Sequence, residues 1–404
     1  MSEQFPAGGF DPRMFEQVPL FRELAKVMSW TGGPVNWDLA RQTAGAVAGG
    51  SPGAEDTAAF GEAVRVAELW LDEATGLPEI VGPVEAFSAT AWVEQAATSQ
   101  ALGRFVEPLA AGMREALGAA LPPELGATFG GGQQGPMDQM LGALGALLYG
   151  LQVGSIAGSL SEQLLGCYDL GVPMLDAKTI GTVGTTLTTL ADDYGLDATE
   201  LRYWLALREA VHRRMFAGVA WLPEQVTGLI ERFAGAAQVD AEGLLDTLGG
   251  FGLDPTDPTA LQGALEQPDA FRIEPTAAQS GILAELRGLL TFTEGYSELA
   301  AARASNGRLG SLDRIEETMR RRRAEQGPGE RMLNQLLGLD LTPTDLRIGR
   351  GFCEAVTTAR GVDGLDRAWQ DPEHLPSQDE LADPSRWLVR MAAVELGIGD
   401  DPQA

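Results

Sequence analysis

The stretch DATELRYWLALREAVHRRMFAGV, residues 197–219, restricts the fold more than any other. Asp197 followed three residues later by Glu200 is a variant of the capping box, so a helix is expected to start at Ala198. At 100° per residue, Leu201, Trp204, Leu205, Val211, Met215, Phe216 and Val219 fall within one apolar arc. Arg208 and His212 lie in the middle of that arc, and Glu209 lies at its edge. A charge on a buried stripe needs a partner or a water-filled cleft beside it. A single histidine in such a place is ordinarily a hydrogen-bonded core residue, so a functional site there requires further groups.

Helical periodicity runs through almost all of the remaining chain, and the alternation of half-buried strands is nearly absent. The expected class is mainly α: a large single globular helical domain with little or no β-sheet. With 404 residues, 44% of them hydrophobic, the chain can bury a sizeable core. The 29 basic against 57 acidic residues give a net charge of −28, a field that repels nucleic acid and anionic membrane surfaces. Neither is expected as a partner. Cys167 and Cys353 have no metal-like spacing, and a chain of this length with two cysteines suits a reducing compartment. The first residues lack the basic start and apolar run of a secretory signal, so a cytoplasmic location is expected.

The expected organisation is an N-terminal tail (1–16), an N-terminal helical region (17–120), a Gly/Pro-rich loop (121–136), a helical core (137–395) and a C-terminal tail (396–404). In the first region, Asn36 precedes an apolar-periodic stretch that ends in glycines, the start and stop signals of a helix. The core opens with an uncharged run, MLGALGALLYGLQVGSIAGSL, residues 140–160. Its length would span a bilayer, but Gln152 and the lack of basic flanks favour a central soluble helix. Glycines at 150, 154 and 158 are expected to form a ridge against a neighbouring helix. A further break, GGFGLDPTDPT, follows residue 248, and GTVGTTLTTL (181–190) lacks the lysine of a phosphate-binding loop. In EETMRRRRAEQGPG (316–329), glutamates precede arginines by four residues, the pattern of a solvated helix end.

REAVH at 208–212 differs from the zinc-binding H-E-x-x-H only in its first residue. The additional groups such a site needs are sought in a second helix expected over 278–304, where Glu294 and Glu298 stand one turn apart. Zinc proteases with a glutamate ligand carry E-x-x-x-D there, the second carboxylate orienting a histidine.

Several stretches together resemble the zincin-like metallopeptidase family of actinobacteria and related bacteria, whose members are often labelled candidate hydrolases. They are GPVNWDLARQTA, YGLDATELRYWLALREAVHRRMF, TALQGALEQPDAF, LRGLLTFTEGYSE and RRRRAEQGPGERMLNQLLGLDLTPTDLRIGRGFCEAV, followed by GVDGLDRAWQDPEHLPSQDELADPSRW. The similarity runs over residues 17–390 in consistent order and implies the zincin-like fold, with the motif helix at 198–219. By this resemblance His212 matches the second histidine ligand, Glu209 the general base and Glu294 the later carboxylate ligand. Arg208 stands where the first histidine belongs, and a guanidinium has no lone pair to donate. His374, the only other histidine, sits in an apparent loop.

The favoured expectation is a family member with a degenerate zinc site, in which Arg208 pairs with Glu294 or Glu298 in a buried cluster. It implies no cofactor and a non-catalytic binding or scaffold role, with a peptide or small ligand in the former active-site cleft. The alternative is an active zinc-dependent hydrolase with atypical ligands His212, Glu294 and His374.

Overall fold

The structure, a computed structural model, describes residues 32–49, 56–120, 136–237, 276–338 and 341–397. The expected N-terminal tail, the break after residue 248 and nearly all of the Gly/Pro-rich loop lie outside them. Fourteen α-helices and one parallel pair of four-residue strands occur among the described residues, so the chain is mainly α as its periodicity implies. The strands, β1 (Val84–Phe87) and β2 (Ile180–Val183), pair in register from Val84 opposite Ile180 to Phe87 opposite Val183.

The helix over the REAVH motif, here called αM (Ala198–Gly218), is the axis of the molecule. Every residue from Trp204 to Phe216 is buried, including those on the face expected to meet solvent. The amphipathic reading of this helix is therefore corrected: its far face carries Arg213 and Arg214, 2% and 0% exposed. Helix αN (Thr57–Leu71) covers that face and supplies the neutralising Glu68. Asp197 caps αM by accepting from the Thr199 and Glu200 amides. Glu200 does not close the expected box, because its carboxylate instead accepts from the Gly310 and Ser311 amides at 3.0 and 2.7 Å. It thereby fixes the start of helix αR (Leu312–Glu325), which carries the arginine run.

The second predicted helix is αE (Ala277–Ser305), opened by a full capping box between Thr276 and Gln279. Helix αC (Pro343–Asp366) crosses it so closely that a Cβ on Gly295 would stand 2.2 Å from the Gly349 carbonyl carbon. Only a glycine-to-glycine crossing permits that approach, which holds the Glu294 turn of αE against the core.

Helix αG (Pro136–Ser161) is apolar and long enough over Gly142–Ser161 to cross a bilayer, and half of that window is buried inside the fold. Its glycine ridge meets helix αA (Trp37–Val47), which Asn36 caps by accepting from the Leu39 amide. Added Cβ atoms at Gly150, Gly154 and Gly158 would stand 2.7, 2.5 and 2.6 Å from Asn36 O, Ala40 O and Val47 Cβ. Neighbouring helices pack against it on several sides, while Leu144, Leu147, Leu148 and Leu151 are only half-buried. Glycine permits close backbone approach along one stripe, and the central position belongs to αM.

Gly154→Leu should therefore lower stability by about 3 kcal/mol, since the new side chain meets backbone that cannot move aside. Gly145 has nothing within 4 Å of a Cβ position, and Gly145→Ala should raise stability by about 0.5 kcal/mol. Chemical denaturation of both variants checks the contrast.

Candidate functional site

Three helices converge on the Glu294 carboxylate of αE. Its Oε2 accepts from Arg208 Nη2 of αM at 2.8 Å and from Arg323 Nη2 of αR at 2.7 Å. Its Oε1 lies 2.9 Å from His212 Nε2. His212 Nδ1 lies 2.8 Å from the Arg208 carbonyl oxygen and 3.2 Å from Ser297 Oγ. Arg208 is 5% exposed, Glu294 2% and His212 0%. Burial alone would push the Glu294 carboxyl up, but the Arg208 and Arg323 guanidinium groups and His212 outweigh it and hold the group well below the usual carboxylate range. The Arg208 guanidinium also lies over the Trp204 ring, 5.4 Å from its centroid.

Of the two glutamates offered as partners for Arg208, the structure pairs it with Glu294. Glu298 binds Arg323 Nη1 instead, at 2.8 Å. Glu209 points elsewhere: Oε1 accepts from the Tyr168 amide at 2.8 Å, and Oε2 from the Cys167 and Gly181 amides at 3.0 and 3.2 Å. It anchors β2 and the 162–179 connection to αM. Burial raises its carboxyl to about 7 against the pull of those three amides. His374 lies in a short 3₁₀ turn, Pro372–His374, with Nδ1 3.1 Å from the Arg367 carbonyl oxygen.

A catalytic zinc needs three neutral or anionic protein donors around an open position. Here the Glu294 carboxylate that faces His212 Nε2 is also shared between two guanidinium groups, and Arg208, which has no lone pair to donate, stands at the first-histidine position. Among the described residues, no three His, Cys, Asp or Glu side chains are grouped so as to hold a metal ion.

Sequence reasoning missed Arg323, having assigned its run to a solvated helix end. Arg320 and Arg321 do lie outside, pairing with Glu317, but Arg322 and Arg323 turn inward, Arg322 to Asp169 at 3.0 Å. The signal was present: the buried stripe Ile315, Thr318, Met319 extends at i+4 to 322 and 323. The segment LLGCYDLG (164–171) was also missed. Tyr168 stacks on His212 with centroids 5.3 Å apart, and a Cβ on Gly171, at φ +77°, would touch Glu294 Oε1 at 2.9 Å. Beside the cluster opens a cavity of about 80 Å³, walled mainly by aliphatic side chains and bounded at its polar end by Asp169, Glu294, Arg323 and Glu330.

Residues 35–388 match the zincin-like metallopeptidase family, and the chain belongs to it. The chain is also similar to a crystal structure from Chloroflexus aurantiacus, a candidate hydrolase described as having a novel fold. That similarity has a TM-score of 0.62 and 23% identity over 89% of this chain and 99% of that one, and it establishes a shared fold. No curated protein matches the chain.

Arg208→Ala should destabilise the protein by about 3 kcal/mol, the low end for breaking a buried pair, because Arg323 and His212 stay on Glu294. Glu294→Ala should cost about 5 kcal/mol, since it strands Arg208 in the core. Thermal and denaturant unfolding would rank the two. Glu209 has a folded pKa raised from 4.5 to about 7. Its stabilising contribution is thus fully present below the unfolded pKa and is lost as pH rises through 7. The stability of the native chain relative to Glu209→Gln should fall by up to about 3 kcal/mol between pH 5 and 8, measured as unfolding curves across that range.

Proposed function

We propose that this chain is a zincin-fold protein whose metal position is occupied by an ion-pair cluster, and that its cleft binds a peptide or small ligand without zinc-dependent hydrolysis. The observation that carries the reading is the Arg208–Glu294 pair at 2.8 Å, with His212 Nε2 on the other oxygen of the same carboxylate. In H-E-x-x-H proteins the residue at the Arg208 position gives its lone pair to the metal. A guanidinium about 4 Å from a dication is repelled by on the order of 8 kcal/mol at an effective dielectric of 20. Arg323 adds a second cation on Glu294. Glu209, the family's general-base position, is 1% exposed with both oxygens engaged by backbone amides, which leaves it poorly placed to activate a water. The acidic balance of −28 favours a ligand other than nucleic acid or an anionic membrane, in keeping with a cytoplasmic protein.

Purified protein should contain no stoichiometric zinc, and its properties should not respond to chelators. Arg208→His alone should restore little zinc affinity, because Arg323 still holds Glu294. The double variant Arg208→His with Arg323→Met should raise it markedly, read by elemental analysis and competitive zinc titration. One tightly held zinc per chain in the unmodified protein, with His212 bound to it, would overturn the reading in favour of a metallohydrolase with atypical ligands.

A further inference from the structure

The cavity beside the cluster has the makings of a specific site. Its aliphatic wall includes Val226, Ile230, Leu286, Leu290 and Leu333, each at most 4% exposed. Its mouth is framed by half-buried Glu330, Asn334 and Leu346. The volume of about 80 Å³ is roughly half that of an apolar cavity that accepts benzene, about 150 Å³. A compact apolar group such as a branched aliphatic chain is of the right size.

The charges at the polar end differ in how far they are satisfied. Asp169 has Arg322, Glu294 has Arg208 and Arg323, and Arg323 is shared by Glu294 and Glu298. Arg208 stands behind Glu294 and does not line the cavity. No guanidinium is therefore left over for an anionic ligand. Glu330 differs from the other acids: its carboxylate meets the Gly327 amide of its own helix start and feels Arg322 and Arg323 only at longer range, and among the described residues it closes no ion pair, those two arginines being paired with Asp169, Glu294 and Glu298. Burial, with Asp169 nearby, pushes its carboxyl above the ordinary range against the pull of Arg322, Arg323 and the Gly327 amide. A carboxylate has about four acceptor positions, so Glu330 keeps acceptor capacity beyond the Gly327 amide.

We propose that the cleft recognises a primary ammonium group carried next to a branched aliphatic group, the combination presented by an amino-terminal leucine of a peptide, with Glu330 as the ammonium acceptor. The overall negative charge draws such a cation toward the chain. The aliphatic group enters the wall formed by αE and by the helix Leu222–Gly235, while the ammonium stays at the mouth. This assignment rests on the reading of the cleft as a ligand site that works without zinc.

The test uses the full chain and three soluble probes, L-leucinamide, N-acetyl-L-leucinamide and glycinamide, titrated by NMR or calorimetry on a sample whose metal content is measured in parallel. Leucinamide should bind, and acetylation or loss of the isobutyl group should each weaken binding at least about tenfold. Glu330→Gln, a half-buried position that tolerates an isosteric change, should weaken leucinamide about tenfold and leave the acetylated probe unaffected. Equal binding of the acetylated probe, an unchanged leucinamide affinity in Glu330→Gln, or no leucinamide binding up to about 10 mM would each overturn the proposal. Bound zinc together with intact leucinamide recognition would sink the zinc-free reading while supporting this one. A zinc-free protein that ignores leucinamide would do the reverse.

Discussion

The buried carboxylate of Glu294 is the group on which the centre of this molecule depends. Moving a carboxylate, two guanidinium groups and an imidazole out of water is costly, and their mutual attraction offsets that cost only where the geometry is close and every polar atom has a partner. The surrounding elements follow from meeting this condition. The central helix delivers Arg208 and His212, the arginine-run helix delivers Arg323, and the glycine-to-glycine crossing of Gly295 and Gly349 holds the Glu294 turn in place. Gly171 and Tyr168 then pack against the Glu294 carboxylate and the His212 ring.

The central helix meets the same requirement twice. On its far face Glu68 accepts from Arg213 Nη2 at 2.7 Å and from Arg214 Nε at 2.8 Å, while Arg214 also donates to the Leu77 carbonyl and to Asp72. Between the two ionic faces, Glu209 ties the helix to the strand pair through backbone amides. Charged residues on both faces of one helix thus bind it to αN, to αE and αR, and to β2. This explains how a helix with five ionisable residues between 208 and 214 can be the most buried one in the fold.

Much of this was legible in the sequence. Periodicity gave the helical class, the capping signals at Asn36 and Asp197 marked real helix starts, and the stranded charge of Arg208 on an apolar arc pointed to a carboxylate across the core. The glycine ridge read at 150, 154 and 158 does face a neighbouring helix. What escaped was long-range. Nothing local says that Glu200 caps a helix more than a hundred residues away, that Glu209 serves backbone amides, or that two of four consecutive arginines turn inward. A helical wheel treats the far side of a helix as solvent by default, and only tertiary structure shows that αN occupies it.

Glu294 gathers three donors onto two oxygens, and this makes its neighbours energetically interdependent. When one guanidinium leaves, the carboxylate leans on the other, so the second loss costs more than the first. Free energies measured one residue at a time around this carboxylate will not sum to the effect of multiple changes. A double-mutant cycle between Arg208 and Arg323, which need not touch, will report a coupling that passes wholly through the acid they share.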